Sequence, residues 1–279
     1  MNDIFHRFIQ HRLAVVGLII ITLYAVMALL APVAAPHDPF TMHADAMLAP
    51  PSATHWLGAD PFGRDILSRL MFGARLSLRV GAIAAGLALV AGTLIGMLAG
   101  YAGRWVDAIL SRCMDVLFSF PDILLALVIM AILGPSTTNV MIAIGIVYTP
   151  IFARIARAST LSIKEQAYVD AARSMGVRPF VILWRHILPN ITAPLLIQTT
   201  LSFAFAILAE AALSFLGLGV EPDAPSWGIM LDEGRNWMEH AWWVAVLPGV
   251  AITLAVLSFN ALGDGLRDAL DPTLRSRSS

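Results

Sequence analysis

Val80-Gly81-Ala82-Ile83-Ala84-Ala85-Gly86-Leu87-Ala88-Leu89-Val90-Ala91-Gly92-Thr93-Leu94-Ile95-Gly96-Met97-Leu98-Ala99 carries no charged side chain from end to end. A helix needs roughly 20 predominantly apolar residues to cross about 30 Å of hydrocarbon, and this stretch has that length. Outward from it, comparable stretches lie at Leu13 to Ala31, Val116 to Leu133, Val140 to Ile155, Ile191 to Leu216 and Val244 to Leu262. The pattern predicts six membrane-spanning helices, with Pro121-Asp122 interrupting the third and the fourth short before Arg154. Composition agrees: the 279 residues are 58% hydrophobic and 13% charged, and the mean hydropathy of +0.77 excludes an ordinary soluble domain. The expected fold class is an all-α integral membrane protein. Turn signals such as Ala49-Pro50-Pro51-Ser52, Gly134-Pro135-Ser136 and Glu221-Pro222-Asp223-Ala224-Pro225 separate the spans.

Several chemistries are excluded. A formal net charge of -1 gives no bulk attraction to nucleic acid. Cys113 is the single cysteine, so neither an intrachain disulfide nor a cysteine metal cluster can form. Lys164 is the only lysine and sits in Ile163-Lys164-Glu165. A phosphate-binding P-loop needs a lysine after glycine to reach the terminal phosphates, so this chain supplies none. If ATP drives it, another subunit hydrolyses the ATP, and the chain itself is not an enzyme.

Cytoplasmic loops of membrane proteins carry an excess of Arg and Lys. With the N-terminus inside, one side receives Arg7, Arg12, Arg104, Arg112, Arg154, Arg157, Lys164, Arg173, Arg178, Arg185, Arg267, Arg275 and Arg277. The other receives Arg64, Arg69, Arg75, Arg79 and Arg235. This bias places both termini and the Ser159 to Asn190 loop in the cytoplasm. The four arginines before the second span run against it; Ile66, Leu67, Leu70 and Met71 share a helical face opposite Arg64, Ser68 and Arg69, which predicts an interfacial helix. Arg7 and Arg12 before an apolar run ending at Val33-Ala34-Ala35 also suggest a signal peptide, but the run is longer than a usual signal core and reads as a retained first helix.

The most informative loop reads Ser162-Ile163-Lys164-Glu165-Gln166-Ala167-Tyr168-Val169-Asp170-Ala171-Ala172-Arg173-Ser174-Met175-Gly176. Ser162 with Glu165 fits a capping box, and Gly176 can take the left-handed conformation that stops a helix. Pro179 suits the first turn of a second helix, ended by Pro189-Asn190. The small Ala171 and Ala172 would let a partner's groove approach the backbone, with Asp170 and Arg173 at its rim.

The run Tyr168 to Gly176, closed by Arg185-His186-Ile187-Leu188-Pro189-Asn190, resembles the coupling motif of ATP-binding-cassette importer permeases, with Asp170 where that family has glutamate. Gly58-Ala59-Asp60-Pro61-Phe62-Gly63-Arg64-Asp65-Ile66-Leu67-Ser68-Arg69, Leu213-Ser214-Phe215-Leu216-Gly217-Leu218-Gly219 and Pro225-Ser226-Trp227-Gly228 are similar to segments of peptide and nickel importer permeases. The resemblance extends to Gly263-Asp264-Gly265-Leu266-Arg267-Asp268-Ala269-Leu270-Asp271-Pro272 and identifies a C-type permease subunit of a dipeptide or oligopeptide importer. It implies a type I ABC importer permease fold in the cell inner membrane: a first helix and outer loop over 1–75, a five-helix core over 76–266 with coupling helices at 159–190, and a tail over 267–279. It also implies ATPase coupling through Tyr168, Asp170, Ala171, Ala172, Gly176 and Pro189. The implied partners are a homologous permease, two ABC ATPase subunits holding ATP and Mg, an extracytoplasmic substrate-binding protein and membrane lipid.

Glu210, inside the fifth span, must face other helices or water; a pathway or gating role and a hydrogen bond to a neighbouring helix are both open. Asp122 is a weaker candidate of the same kind. Arg112 and Asp115, three apart, should pair at the membrane surface. Trp227, Trp237, Trp242 and Trp243 read as an interfacial aromatic belt. His37, His43 and His55 share a loop with Asp38, Asp45 and Asp60, but their spacing fits no recognised ligand pattern, so no metal site is expected. Rival functions are a nickel or other small-solute ABC permease and an ion-driven secondary transporter; the latter would place acids, histidines or broken helices at the midplane of repeated halves, which the sequence does not show.

Overall fold

The computed structural model describes residues 8–270. Arg7, Arg275, Arg277 and Asp271-Pro272 lie outside the described residues, as does the tail beyond Leu270. The chain forms α1 (Arg12–Ala34), α2 (Ile66–Ala102), α3 (Arg104–Phe118), α4 (Asp122–Leu133), α5 (Thr137–Ile163), α6 (Ala167–Ser174), α7 (Pro179–Phe215), α8 (Trp227–Gly234) and α9 (Trp243–Leu270). Among the described residues the only β pairing is an isolated bridge between Ala59 and Asp65.

Helices α1, α2, α5, α7 and α9 are each long and apolar enough to cross a bilayer. The third expected span is interrupted, as its Pro121-Asp122 suggests, and is not one rod. α3 and α4 meet at 91°, so the stretch Val116 to Leu133 is broken at Ser119-Phe120-Pro121. Pro121 has no N–H to continue the ladder, and its ring disfavours a helical residue before it.

Outward faces carry exposed Leu13, Ile19, Leu23 and Leu29 on α1, which suits a lipid solvent. Inward faces carry small residues. Gly92, Gly96 and Gly100 form a stripe on α2 against α5: a Cβ on Gly92 would lie 2.5 Å from the Thr149 carbonyl oxygen, and one on Gly96 would collide with that of Ala153. Close backbone approach replaces hydrophobic driving force inside a membrane, because lipid tails are as apolar as leucine. The α1 face of Ala14, Gly17, Tyr24 and Ala28 packs on α9 in the same manner, and the Tyr24 hydroxyl donates to the Ala251 carbonyl at 3.1 Å.

Four sequence expectations change. The amphipathic turn at Ile66 to Met71 is not a separate interfacial helix; it opens the unbroken 37-residue α2. Arg64 and Arg69 do not form a polar face towards the membrane surface, because both are buried against Asp60 and Glu233. The tryptophans do not form one belt: Trp227 is fully buried with its indole N–H donating to the Leu70 carbonyl, and Trp243 is buried with its N–H on Ala59, leaving only Trp237 and Trp242 exposed. Asp115 does not pair with Arg112, since Arg154 reaches it at 2.9 Å from α5.

Candidate coupling site

The loop from Ser159 to Asn190 folds at the end of the bundle where α2 and α5 finish. α5 runs on through Ser162 to Ile163, so Ser162 with Glu165 makes no capping box. The next helix, α6, starts at Ala167 from Gln166 without a side-chain cap. Lys164 anchors this junction by donating its ammonium to the Gly100 carbonyl at 2.9 Å, at the last turn of α2, where unpaired carbonyls gather.

Gly176 stops α6 as expected. Its φ of +75° is left-handed, and two reverse bonds close the end: Gly176 N–H to Arg173 at 3.0 Å and Val177 N–H to Ala172 at 3.1 Å. Pro179 then opens α7 from Arg178. Pro189 does not end this second helix. The backbone passes through a π turn at Leu183–Ile187, which absorbs the proline's missing donor, and continues to Phe215.

The alanine pair divides between two surfaces. Ala172 is buried with Val169 against Met97, Phe152, Ile182 and Ile187, which locks α6 onto α2, α5 and α7. Ala171 faces out, as do Tyr168, Asp170, Gly176 and Pro189. Asp170 pairs with Arg173 at 3.2 Å, and the Arg173 guanidinium lies 5.9 Å from the Tyr101 ring centre. Beside them stand two apolar side chains that sequence reasoning missed, Met175 at 76% and Phe180 at 68% exposure. They flank the glycine stop. Their signal was present: large apolar residues adjoining a helix stop and a helix-starting proline have nothing of their own chain left to cover them.

The two candidate pathway acids part company. Glu210 is fully buried in α7 and accepts hydroxyl bonds from Ser77 of α2 at 3.0 Å, Ser214 at 2.9 Å and Ser226 before α8 at 2.7 Å. It clasps three elements together. Asp122 is exposed at the first turn of α4. Arg75 and Arg79, two of the four arginines that run against the charge bias, stand exposed and four residues apart on α2, hence on one face.

At the opposite end of the bundle, Arg64 bridges Asp60 at 2.6 Å and Glu233 at 2.7 Å, while Arg69 reaches the same two acids at 2.8 and 3.3 Å. Burial pushes the Glu233 carboxyl up to about 7, against the pull of Arg64 and with Asp60 adding to the rise. Nearby, Glu221 accepts the Thr137 hydroxyl at 2.6 Å and its backbone N–H at 3.2 Å, capping α5 from a distant loop. Those bonds hold the Glu221 carboxyl below the usual range.

A family profile described as "Binding-protein-dependent transport system inner membrane component" matches residues 92–276. The chain belongs to this family. Residues 1–51 of the permease also match the N-terminal TM domain of oligopeptide transport permease C. It is 47% identical over 275 residues to the dipeptide transport system permease protein DppC of Alkalihalophilus pseudofirmus, covering 99% of this chain and 90% of that one. Identity is 44% to the di/tripeptide transport system permease protein DppC of Pseudomonas aeruginosa, covering 99% and 93%, and 43% to the glutathione transport system permease protein GsiD of Pectobacterium atrosepticum, covering 99% and 92%. The fold is shared with the MetNI methionine ABC transporter in an inward-facing form, with TM-score 0.59, 18% identity and coverage of 73% and 97%. The protein is thus a multi-pass inner membrane permease subunit of an ABC importer, a family that works with ATPase and binding-protein partners generally.

Proposed function

We propose that the permease forms one half of a pathway for di- or oligopeptides and couples it, through the α6–Gly176–α7 elbow, to a cytoplasmic ATPase that binds ATP and Mg. The observation that carries this reading is the elbow itself: exposed Tyr168, Ala171, Met175 and Phe180 on an element locked from behind by Val169, Ala172 and Lys164. A rigid element with an apolar outer face transmits displacement; a loose one absorbs it.

Charge supports an orientation with both termini cytoplasmic. Once Arg64 and Arg69 are withdrawn into ion pairs, few free cations remain to oppose the bias at the other end. The relatives named above are dipeptide, di/tripeptide and glutathione permeases, which favours peptides over nickel or other small solutes. A homologous partner permease and a substrate-binding protein complete the assembly. An ion-driven mechanism gains nothing from the geometry, since Glu210 is occupied by three hydroxyl donors.

The test is uptake of labelled dipeptide into vesicles holding the permease pair with its ATPase, in the presence of the binding protein. Uptake that needs ATP and survives an ionophore supports the reading. Uptake driven by an ion gradient without ATP defeats it.

A further inference from the structure

We infer that His37, His55 and Asp65 form a binding site for one borderline divalent metal ion, Zn²⁺ fitting best, which clips the α1–α2 loop to the start of α2. This goes beyond the transport reading and does not rest on it.

The three residues are far apart in sequence, and spacing alone hides them. His37 lies just past α1, His55 sits in a tight turn of the loop, and Asp65 is the N-cap of α2. Each backbone is fixed independently. The His37 N–H donates to Ser68 Oγ at 3.0 Å. The His55 turn is closed by Ser52, whose N–H donates to the His55 carbonyl at 2.8 Å and whose Oγ accepts the His55 N–H at 3.1 Å. Asp65 Oδ2 is engaged by the Ser68 N–H and hydroxyl, both at 2.8 Å.

This leaves Asp65 Oδ1 for two imidazoles at once. His55 Nδ1 stands 3.0 Å from it and His37 Nδ1 3.7 Å. The second separation is too long for a hydrogen bond, and His37 Nδ1 is shielded from solvent without a hydrogen-bond partner. The imidazole centres are 4.8 Å apart. A tetrahedral Zn²⁺ with bonds of about 2.0–2.1 Å separates neighbouring ligand atoms by roughly 3.3 Å. The two separations from Asp65 Oδ1 bracket that distance; the three ligand atoms lie within 4.8 Å of one another, so the two imidazoles would close on the ion by a small side-chain rotation.

Two neutral imidazoles and one carboxylate suit a borderline ion and leave one coordination position for water. Ca²⁺ and Mg²⁺ prefer oxygen-only shells and fit poorly. Entry is available: His37 and His55 line an open hollow of about 430 Å³ that also presents His43 and Asp45. The clip lies beside the Asp60–Arg64–Arg69–Glu233 cluster, so it would fix the shape of that end of the bundle.

The test uses the full chain, purified in detergent with a tag free of histidine and stripped by chelator, then titrated with Zn²⁺ against a chromophoric chelator. One Zn²⁺ per chain is expected, with a rise in Tm on binding. His37→Gln is the cleanest variant, since the His37 side chain makes no hydrogen bond and its backbone contact survives. It should bind about 100-fold more weakly, as should His55→Gln, while the unloaded His37→Gln protein keeps the wild-type Tm. Zn²⁺ X-ray absorption should show two imidazoles with oxygen ligands. No stoichiometric binding by the wild type, or wild-type affinity in either variant, would overturn the assignment.

Discussion

The ammonium of Lys164 is bonded to the carbonyl of Gly100 at 2.9 Å, so the only lysine of the chain ties the approach to α6 to the end of α2. Movement of α6 should therefore reach the Gly92–Gly96–Gly100 seam between α2 and α5 directly. Lys164→Met removes a charge-assisted bond of about 1.5–3 kcal/mol at most, less for its partial exposure. Hydrogen exchange over residues 165–176 should quicken, and transport per ATP hydrolysed should fall several-fold with assembly intact. Unchanged exchange and coupling would show that Lys164 takes no part in transmitting the movement of α6.

Gly176 tests backbone against side chain. A Cβ there meets nothing within 4 Å, so any cost of Gly176→Ala comes from the φ of +75° alone. A left-handed alanine costs roughly 1–2 kcal/mol. Gly176→Ala should lower the Tm of the permease, and Gly176→Asn should lower it less, because asparagine tolerates that conformation. Thermal melts of the purified variants measure it; equal Tm values would show that the left-handed turn carries no cost.

Glu210 should prove to be a clasp. Glu210→Ala strands three hydroxyls and should cost on the order of 2–3 kcal/mol, read as a lower Tm. Transport per folded molecule should stay near that of the parent protein. Full stability with lost transport would instead make Glu210 a pathway residue.

Glu221 gives a pH signature. Its carboxyl is depressed in the folded state, so the stabilisation it contributes is present above the ordinary carboxylate range and lost as pH falls through the depressed value. Glu221→Gln should be less stable than the parent at neutral pH, and the gap should close on acidification. Thermal melts across pH measure it; a gap independent of pH would show that charge is not the cause.

Much of this was legible in the sequence because hydropathy and helix punctuation are local. Val80 to Ala99 read as a span, and Gly176 and Pro179 marked the bend. What depends on distant partners was not legible. Arg64 and Arg69 read as the polar face of an interfacial helix because Glu233 lies far along the chain. Ala171 and Ala172 looked equivalent until packing turned one inward against Ile182 and Ile187. Ser162 and Glu165 matched a capping box, yet α5 overran them, since a helix already propagating extends more easily than a new one nucleates. His37 and His55 lacked a ligand pattern because their common partner, Asp65, belongs to α2.

Docking of the ATPase on the face built from Tyr168, Ala171, Met175 and Phe180, as proposed above, is tested most directly by the double substitution Met175→Glu/Phe180→Glu. Both side chains are mostly exposed in the free chain, so the permease should fold and insert normally. The measurement is the ATPase retained when the tagged permease is purified from membranes. The ATPase should be lost from the double variant, with ATP-dependent uptake lost alongside it. Retention and uptake equal to those of the unsubstituted protein would contradict it.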